Sequence, residues 1–238
     1  MESRLMAWFR RNGRDLPWRR TRDPYAILVS EVMLQQTQVA RVVPRWLAWM
    51  ERWPDVEALA AASPADVIRA WQGLGYNRRG LNLHRAARAV VASGWPEDLT
   101  ELPGVGRYTA DAVRNQAWRH PVLPVDTNVR RILERTGAKF SPGAVQALFD
   151  LGATVCLARV PRCGECPLAD PCPSQGLRFE PARRQGPLEG SFRQRRARTL
   201  RLVADGPRPL AELDEDAVRA LERDGLVVLD GAVAALPA

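Results

Sequence analysis

The sequence predicts an all-α fold that ends in a small winged-helix-like module. From Glu2 to about Ala153, apolar residues recur at helical spacing, and Pro, Gly and Asp residues separate the helical stretches. This part of the chain has no strand-like alternation of apolar and polar residues. After two helices that contain Leu5 and Ile27, helices are expected near 40–52, 55–62, 64–72, 79–93, 107–118, 127–135 and 143–154.

The C-terminal end of the chain has a different pattern. Residues 176–190 contain several Pro and Gly, which predicts a linker. An arginine-rich helix follows, a second helix is expected at 214–224, and two short apolar runs around Asp230-Gly231 predict a hairpin. This order indicates a winged-helix-like module, and a helical tail that covers the core is the alternative. The arginines of the first helix are Arg193, Arg195, Arg196, Arg198 and Arg201.

Composition and charge limit the classes of function. The 238 residues carry a formal charge of +8, which suits a polyanionic partner. No apolar run is long enough for a bilayer helix and the N-terminus lacks an apolar signal core, so we expect a cytoplasmic protein with no membrane partner. The only histidines are His84 and His120, which disfavours a Ser-His-Asp triad or a His-rich metal centre. Lys139 is the only lysine, so a Schiff base has one candidate.

Four cysteines lie close together, as Cys156-x6-Cys163-x2-Cys166-x5-Cys172. Four thiolates at this spacing can surround one compact centre. A disulfide is disfavoured in a cytosolic protein, whereas zinc is the serious alternative to an iron–sulfur cluster because it takes the same ligands. The long first gap departs from the paired Cys-x2-Cys pattern of common zinc modules and favours iron–sulfur. Either centre is expected to be structural.

A glycine-containing turn lies between two predicted helices, in the string Leu102-Pro103-Gly104-Val105-Gly106-Arg107-Tyr108-Thr109-Ala110. Two glycines around one apolar residue allow a tight turn whose backbone N–H groups point outward. The following helix adds its positive N-terminal end, so the turn could hold one backbone phosphate. An ordinary helix–helix turn is the alternative.

The hairpin string and the cysteine spacing resemble the endonuclease III superfamily of DNA glycosylases. Three further blocks resemble its MutY-type adenine glycosylase branch: Leu16-Pro17-Trp18-Arg19, the segment from Ser30 to Val39, and Gly73-Leu74-Gly75-Tyr76. The resemblance covers about residues 5–172. It implies a helix-hairpin-helix motif, a 4Fe-4S cluster, a monomer associated with the nucleoid, and a double-stranded DNA partner with a mispaired or oxidised base pair.

The same resemblance implies a domain organisation. Residues 1–22 and 125–175 would form the iron–sulfur cluster subdomain. Residues 23–124 would form a helical barrel subdomain with the helix-hairpin-helix motif. The linker at 176–190 and the winged-helix-like tail at 191–238 would complete the chain.

Three residues match catalytic positions of the family. Glu31 would be the general acid that protonates the departing base, since burial favours a protonated carboxyl group; its alternative is a core-edge glutamate paired with an arginine. Asp126 would stabilise the positive charge on the sugar, and an N-cap role is compatible with this. Tyr108 stands where bifunctional members have a Schiff-base lysine, so a monofunctional enzyme is expected. The alternative is an N-terminal amine that acts as the nucleophile.

Further residues match positions that contact DNA or the base. Gln36 and Tyr76 would be wedge residues that prop open the gap left by a flipped nucleotide. The hairpin residues Gly104, Val105, Gly106 and Arg107 would bind the DNA backbone. Core packing is the alternative for Trp18 and Tyr76. The residues expected to line the base pocket are Arg14, Trp18, Arg19 and Gln146.

The sequence departs from the family in three places. The segment from Arg135 to Gln146 is shorter than usual, Thr127 stands where many adenine glycosylases have glycine, and the usual C-terminal domain that reads 8-oxoguanine is absent from this sequence. The expected function is removal of adenine opposite 8-oxoguanine or guanine. A thymine or uracil glycosylase acting on G:T or G:U mismatches and a non-catalytic iron–sulfur DNA-binding regulator are the alternatives.

Overall fold

A computed structural model describes residues 1–178 and 186–238 of the chain. The described part is mostly helical with one small antiparallel sheet, so the predicted fold class is confirmed. The helices are α1 Glu2–Asn12, α2 Pro24–Leu34, α3 Val39–Arg52, α4 Val56–Ala61, α5 Pro64–Trp71, α6 Arg78–Ser93, α7 Arg107–Trp118, α8 Thr127–Thr136, α9 Val145–Thr154, α10 Phe192–Ala204 and α11 Glu215–Arg223. The strands are β1 Arg208–Pro209, β2 Val228–Asp230 and β3 Val233–Ala235.

The described residues form two compact units. One comprises residues 1–24 and 107–178, and the other comprises residues 25–106 and 186–238. The subdomain bounds expected from the sequence stay a prediction, and residues 179–185 of the expected linker lie outside the described residues. Among the described helices, none combines the length and the apolar character that a bilayer span requires.

The first unit is built around helices α1, α8 and α9. Their apolar faces share one core, in which Leu5, Ile132 and Leu148 are fully buried. Helix α9 approaches α8 closely at Gly152, where an added Cβ would lie only 2.7 Å from the Cβ of Asn128. A side chain at position 152 would therefore push on the first turn of α8.

The second unit surrounds helix α2, which is apolar on nearly all sides. Residues 25–33 are all buried, because the helix has no polar face to present to water. Aromatic packing and hydrogen bonds hold its beginning: the Tyr25 hydroxyl donates to the Trp53 carbonyl oxygen, and Trp49 Nε1 donates to that hydroxyl. Glu31 is the one charged residue in α2, so its carboxyl group lies at a buried position.

The C-terminal module belongs to the second unit. Its sheet has the order β1-β3-β2, and the turn of the β2–β3 hairpin contains Gly231 at φ +55°. The winged-helix-like pattern is confirmed. Leu200 and Leu221 of the module pack in one cluster with Ile68 of α5 and Leu81 of α6. The module therefore also covers part of the helical core, as the alternative expected.

Candidate functional site

The glycine hairpin is a tight turn at the end of the second unit. Gly104 adopts φ +78°, and the Val105 N–H donates to the Leu102 carbonyl oxygen at 3.0 Å. An added Cβ at Gly104 would lie 2.8 Å from the Cβ of Asn82, whereas an added Cβ at Gly106 would meet nothing within 4 Å. The fold therefore requires glycine at position 104, whereas position 106 has space for a side chain.

This difference between the two glycines predicts unequal effects of alanine. Gly104→Ala is expected to destabilise the protein by roughly 1–3 kcal/mol, because it combines a left-handed backbone with a close contact. It should also weaken duplex DNA binding, since the turn must shift. Gly106→Ala is the matched control and should leave the urea midpoint nearly unchanged. Equal midpoints for the two variants would contradict this account of the turn.

Glu31 and the predicted wedge residues lie in the second unit. Glu31 is 4% exposed. Gln36 follows the end of α2, and Tyr76 precedes α6; both are exposed and both have positive φ, +56° and +46°. Their two loops touch, because the Thr37 hydroxyl donates to the Leu74 carbonyl oxygen at 3.3 Å.

Asp126 lies in the first unit and caps helix α8. Its Oδ1 accepts hydrogen bonds from the backbone N–H groups of Asn128 and Val129 at 2.9 and 2.7 Å. Its Oδ2 accepts from the Asn128 side-chain amide at 2.8 Å. Asp126 caps the helix and is still partly exposed, so the N-cap role leaves it accessible. Thr127 begins the helix without a positive φ, so the turn needs no glycine there.

A chain of hydrogen bonds connects Asp126 with the cysteine segment. Asn128 holds Asp126, and Arg131 Nη2 donates to the Asn128 Oδ1 at 2.8 Å. Arg131 Nε in turn donates to the Cys156 carbonyl oxygen at 2.8 Å. Arg131 Nη2 also donates to the Gly152 carbonyl oxygen, so Arg131 connects α9 to the same network.

A cavity in the first unit contains three of the four residues expected in the base pocket. Trp18, Arg19 and Gln146 line it, and its volume is about 660 Å³, within the usual range for small-molecule sites. The Gln146 amide donates to the Gln116 Oε1 at 3.0 Å. The short connection between α8 and α9 lines the cavity through Pro142. Trp18 is also 3% exposed, so core packing and cavity lining both apply to it.

Asp150 anchors Arg19 beside this cavity, and no sequence motif pointed to it. Its fully buried carboxylate accepts from the Arg14 backbone N–H and Nε, both at 2.8 Å, and from Arg19 Nη2 at 2.7 Å. Burial raises the pKa of this carboxyl group, but the bonds and charges of Arg19 and Arg14 outweigh burial and leave the pKa below its usual value. Arg14 does not line the cavity itself. An acid between apolar residues of α9, four positions after Gln146, was the available signal.

Tyr108 is half-buried in helix α7 of the first unit. Its ring packs edge-to-face against Phe149 of α9, with ring centroids 6.3 Å apart. This contact positions the ring next to the helix that carries Gln146 and Asp150.

The four cysteines line one common cavity in the first unit. N–H groups point at two of the sulfur atoms: Arg135 Nη1 lies 3.5 Å from Cys156 Sγ, and the Gly176 N–H lies 3.3 Å from Cys163 Sγ. Burial and the charges of the other three thiols raise the pKa of Cys166 to about 11. Four thiolates here would need a positive centre between them. Within residues 1–178 and 186–238, no three His, Cys, Asp or Glu residues are arranged for a single metal ion.

Comparisons with known proteins identify the family and the fold of the chain. Residues 29–149 match the family model of the HhH-GPD superfamily base excision DNA repair protein. The chain is 43% identical over 247 residues to the adenine DNA glycosylase of Mycolicibacterium smegmatis, across 90% of this chain and 84% of that protein. It is 39% identical to the human adenine DNA glycosylase, across 79% of this chain and 42% of that protein. A solved thermostable thymine-DNA glycosylase superposes with a TM-score of 0.65 at 25% identity, across 72% of this chain and 93% of that one.

Proposed function

The chain belongs to the HhH-GPD superfamily of base excision DNA repair proteins, and we propose that it is a monofunctional DNA N-glycosylase that removes adenine mispaired with 8-oxoguanine or guanine. The observation that carries this proposal is a pair of carboxyl groups in contrasting environments. Glu31 is buried in an apolar helix, and the half-buried Asp126 accepts three hydrogen bonds at the start of α8. One group suits proton donation and the other suits a fixed negative charge.

The two carboxyl groups would divide the work of breaking the glycosidic bond. Glu31 donates a proton to a ring nitrogen of the base, and the bond between C1′ and the base nitrogen breaks with its electron pair leaving on the base. Asp126 stabilises the positive charge that develops on the sugar. Water then adds to C1′ and gives its proton to the Glu31 carboxylate, which restores the acid.

Tyr108 supports hydrolysis without strand cleavage. A lyase step needs an amine that forms a Schiff base with C1′, and a phenol cannot form one. The only lysine of the chain is Lys139, beyond helix α8. The product is therefore an abasic site in an intact strand.

The remaining residues of the site would bind and open the duplex. The turn would offer the backbone N–H groups of Gly104 and Gly106 to one phosphate, whereas that of Val105 already donates to the Leu102 carbonyl oxygen. Arg107, which is exposed and paired with Asp111, adds a cation next to the turn. Gln36 and Tyr76 fill the gap left by the flipped nucleotide. The cavity lined by Trp18, Arg19 and Gln146 receives the base. We infer that the protein acts as a monomer on nucleoid DNA in the cytoplasm.

Two alternatives are less well supported. A thymine or uracil glycosylase is favoured by the solved thymine-DNA glycosylase, but that protein is 25% identical, against 43% for the mycobacterial adenine enzyme. A non-catalytic regulator would have no use for Glu31 and Asp126 together.

A single-turnover excision assay on four duplexes tests the proposal. They contain A opposite 8-oxoguanine, A opposite G, T opposite G and U opposite G, and each reaction is analysed with and without alkali. Strand breaks at A that require alkali would support the proposal. Breaks only at T or U would favour the mismatch glycosylase. Breaks without alkali would contradict a monofunctional mechanism, and tight binding without excision would favour the regulator.

We propose that Cys156, Cys163, Cys166 and Cys172 would hold a 4Fe-4S cluster, because their side chains line one cavity. All four thiols surround one space, and donors such as Arg135 already point at the sulfur atoms. When bound, the cluster would serve as a structural link between helix α8 and the loop that follows α9.

Metal analysis distinguishes the cluster from zinc. Anaerobically purified protein is expected to contain about four iron atoms and four sulfides per chain, with visible charge-transfer absorption. Cys166→Ser should lose that absorption and unfold at a lower temperature, because α8 loses its contact with a fixed loop. About one zinc and no iron per chain would contradict the cluster.

A further inference from the structure

The two loops with the predicted wedge residues share one cation. Arg79 lies in the first turn of α6. Its guanidinium Nη1 faces the end of α2, and its Nη2 faces the loop before α6. Nη1 donates to the carbonyl oxygens of Val32 and Gln35, both at 2.6 Å. Nη2 donates to the carbonyl oxygens of Leu74 and Gly75 at 3.1 and 3.0 Å, and to the Thr37 hydroxyl at 3.2 Å.

The guanidinium bonds flank Gln36 on both sides and reach the residue before Tyr76. Gln35 and Thr37 flank Gln36, and Gly75 precedes Tyr76. A side chain with positive φ is uncommon outside glycine and Asn, and it persists where the surroundings fix it. Arg79 supplies such a constraint for both residues at once.

Charge and shape favour arginine at this position. Desolvation lowers the pKa of the Arg79 guanidinium to about 10, so it keeps its proton at neutral pH. A cation also complements the carbonyl oxygens at the C-terminal end of α2. The guanidinium lies 5.4 Å from the Trp71 ring centroid and 5.7 Å from that of Tyr76. A lysine has no planar fork and could not serve both loops.

We propose that Arg79 is a positioning residue that fixes Gln36 and Tyr76 relative to each other, so that both enter the base stack as one rigid wedge. The proposal rests on the proposed function, because it assumes that the protein opens the duplex. A purely structural Arg79 would contribute only to folding. A positioning Arg79 determines how efficiently folded protein unstacks DNA.

The test compares Arg79→Lys with Arg78→Lys as a matched control. Arg78 is adjacent and exposed, and its ion pair with Asp224 is long, at 3.7 Å. The first readout is the single-turnover rate constant for A opposite 8-oxoguanine, with enzyme in saturating excess, so that the folded fraction does not affect it. The second is the fluorescence of 2-aminopurine placed beside the target, which rises when the bases unstack.

Arg79→Lys is expected to lower the rate constant at least tenfold and the fluorescence rise in proportion, with unchanged affinity for undamaged duplex. Arg78→Lys should match the wild type. Ethylguanidinium should restore part of the rate to Arg79→Ala. If Arg79→Lys does not fold, Thr37→Val removes one acceptor of Arg79 and should lower both readouts more mildly.

If Arg79→Lys folds and gives wild-type values for both readouts, the inference is overturned. If Arg79→Lys does not fold, wild-type values in Thr37→Val overturn it. If the wild-type protein excises no base, the proposed function fails instead. The fluorescence comparison then still decides the role of Arg79, since a wild-type rise that Arg79→Lys lacks supports it and equal signals contradict it.

Discussion

Glu31→Gln is expected to abolish base excision while leaving folding and DNA binding intact. Glutamine keeps the size and the hydrogen-bonding capacity of the side chain in the buried interior of α2, but it cannot release a proton. General acid–base catalysis contributes about 100- to 10,000-fold, so the single-turnover rate constant should fall by that factor. Electrophoretic binding to the same duplex should be unchanged.

Glu51→Gln is the control for this variant. Glu51 is exposed on α3 in the same unit, so the same chemical change there should leave the rate constant unaltered. Excision by Glu31→Gln at the wild-type rate would remove Glu31 from the mechanism. Loss of both binding and excision would instead indicate a folding defect, which circular dichroism would detect.

Asp150→Asn is expected to cause the largest loss of stability. The variant leaves the Arg14 and Arg19 guanidinium groups facing a neutral amide at a fully buried position. Breaking a buried ion pair from one side costs about 3–5 kcal/mol. The free energy of unfolding should fall by that amount at neutral pH, as measured by urea denaturation. Excision should also weaken, since Arg19 loses its anchor beside the cavity.

The same ion pairs predict a pH dependence. The pKa of Asp150 is lower in the folded protein than in the unfolded chain, so its contribution is complete above the unfolded value of about 4. That contribution disappears as the pH falls through the folded pKa. Wild-type stability should therefore decrease more steeply below about pH 4 than the stability of Asp150→Asn. Asp170→Asn is the control, because its exposed pair with Arg4 should contribute little. Parallel pH profiles for wild type and Asp150→Asn would refute this role.

Local patterns account for most of what the sequence predicted. Helix α7 spans residues 107–118 as expected, and α8 runs one residue beyond the expected 127–135, because spacing and caps are local signals. The site residues, however, were predicted from their residue types and their positions in motifs. These do not indicate which neighbours contact each side chain in the fold. Trp18 illustrates this, since burial and cavity lining both describe it.

The residues missed by the sequence analysis act over long separations along the chain. Asp150 lies 136 residues from Arg14, and Arg79 lies 44 residues from Gln35. No local pattern specifies such pairs, because each partner alone looks like an ordinary charged residue. The sequence likewise does not indicate that position 152 must be glycine, because that requirement comes from the close approach of α8. Partners of this kind become visible only in three dimensions.

The shared cluster of the C-terminal module also makes the module part of the structural core of its unit. Because Leu200 and Leu221 bury Ile68 and Leu81, residues 186–238 are not an appendage that could be lost or exchanged independently. Their removal would expose the apolar surface of Ile68 on α5 and Leu81 on α6 to water. A substitution at one of these four positions therefore changes the packing surface on which the other element depends.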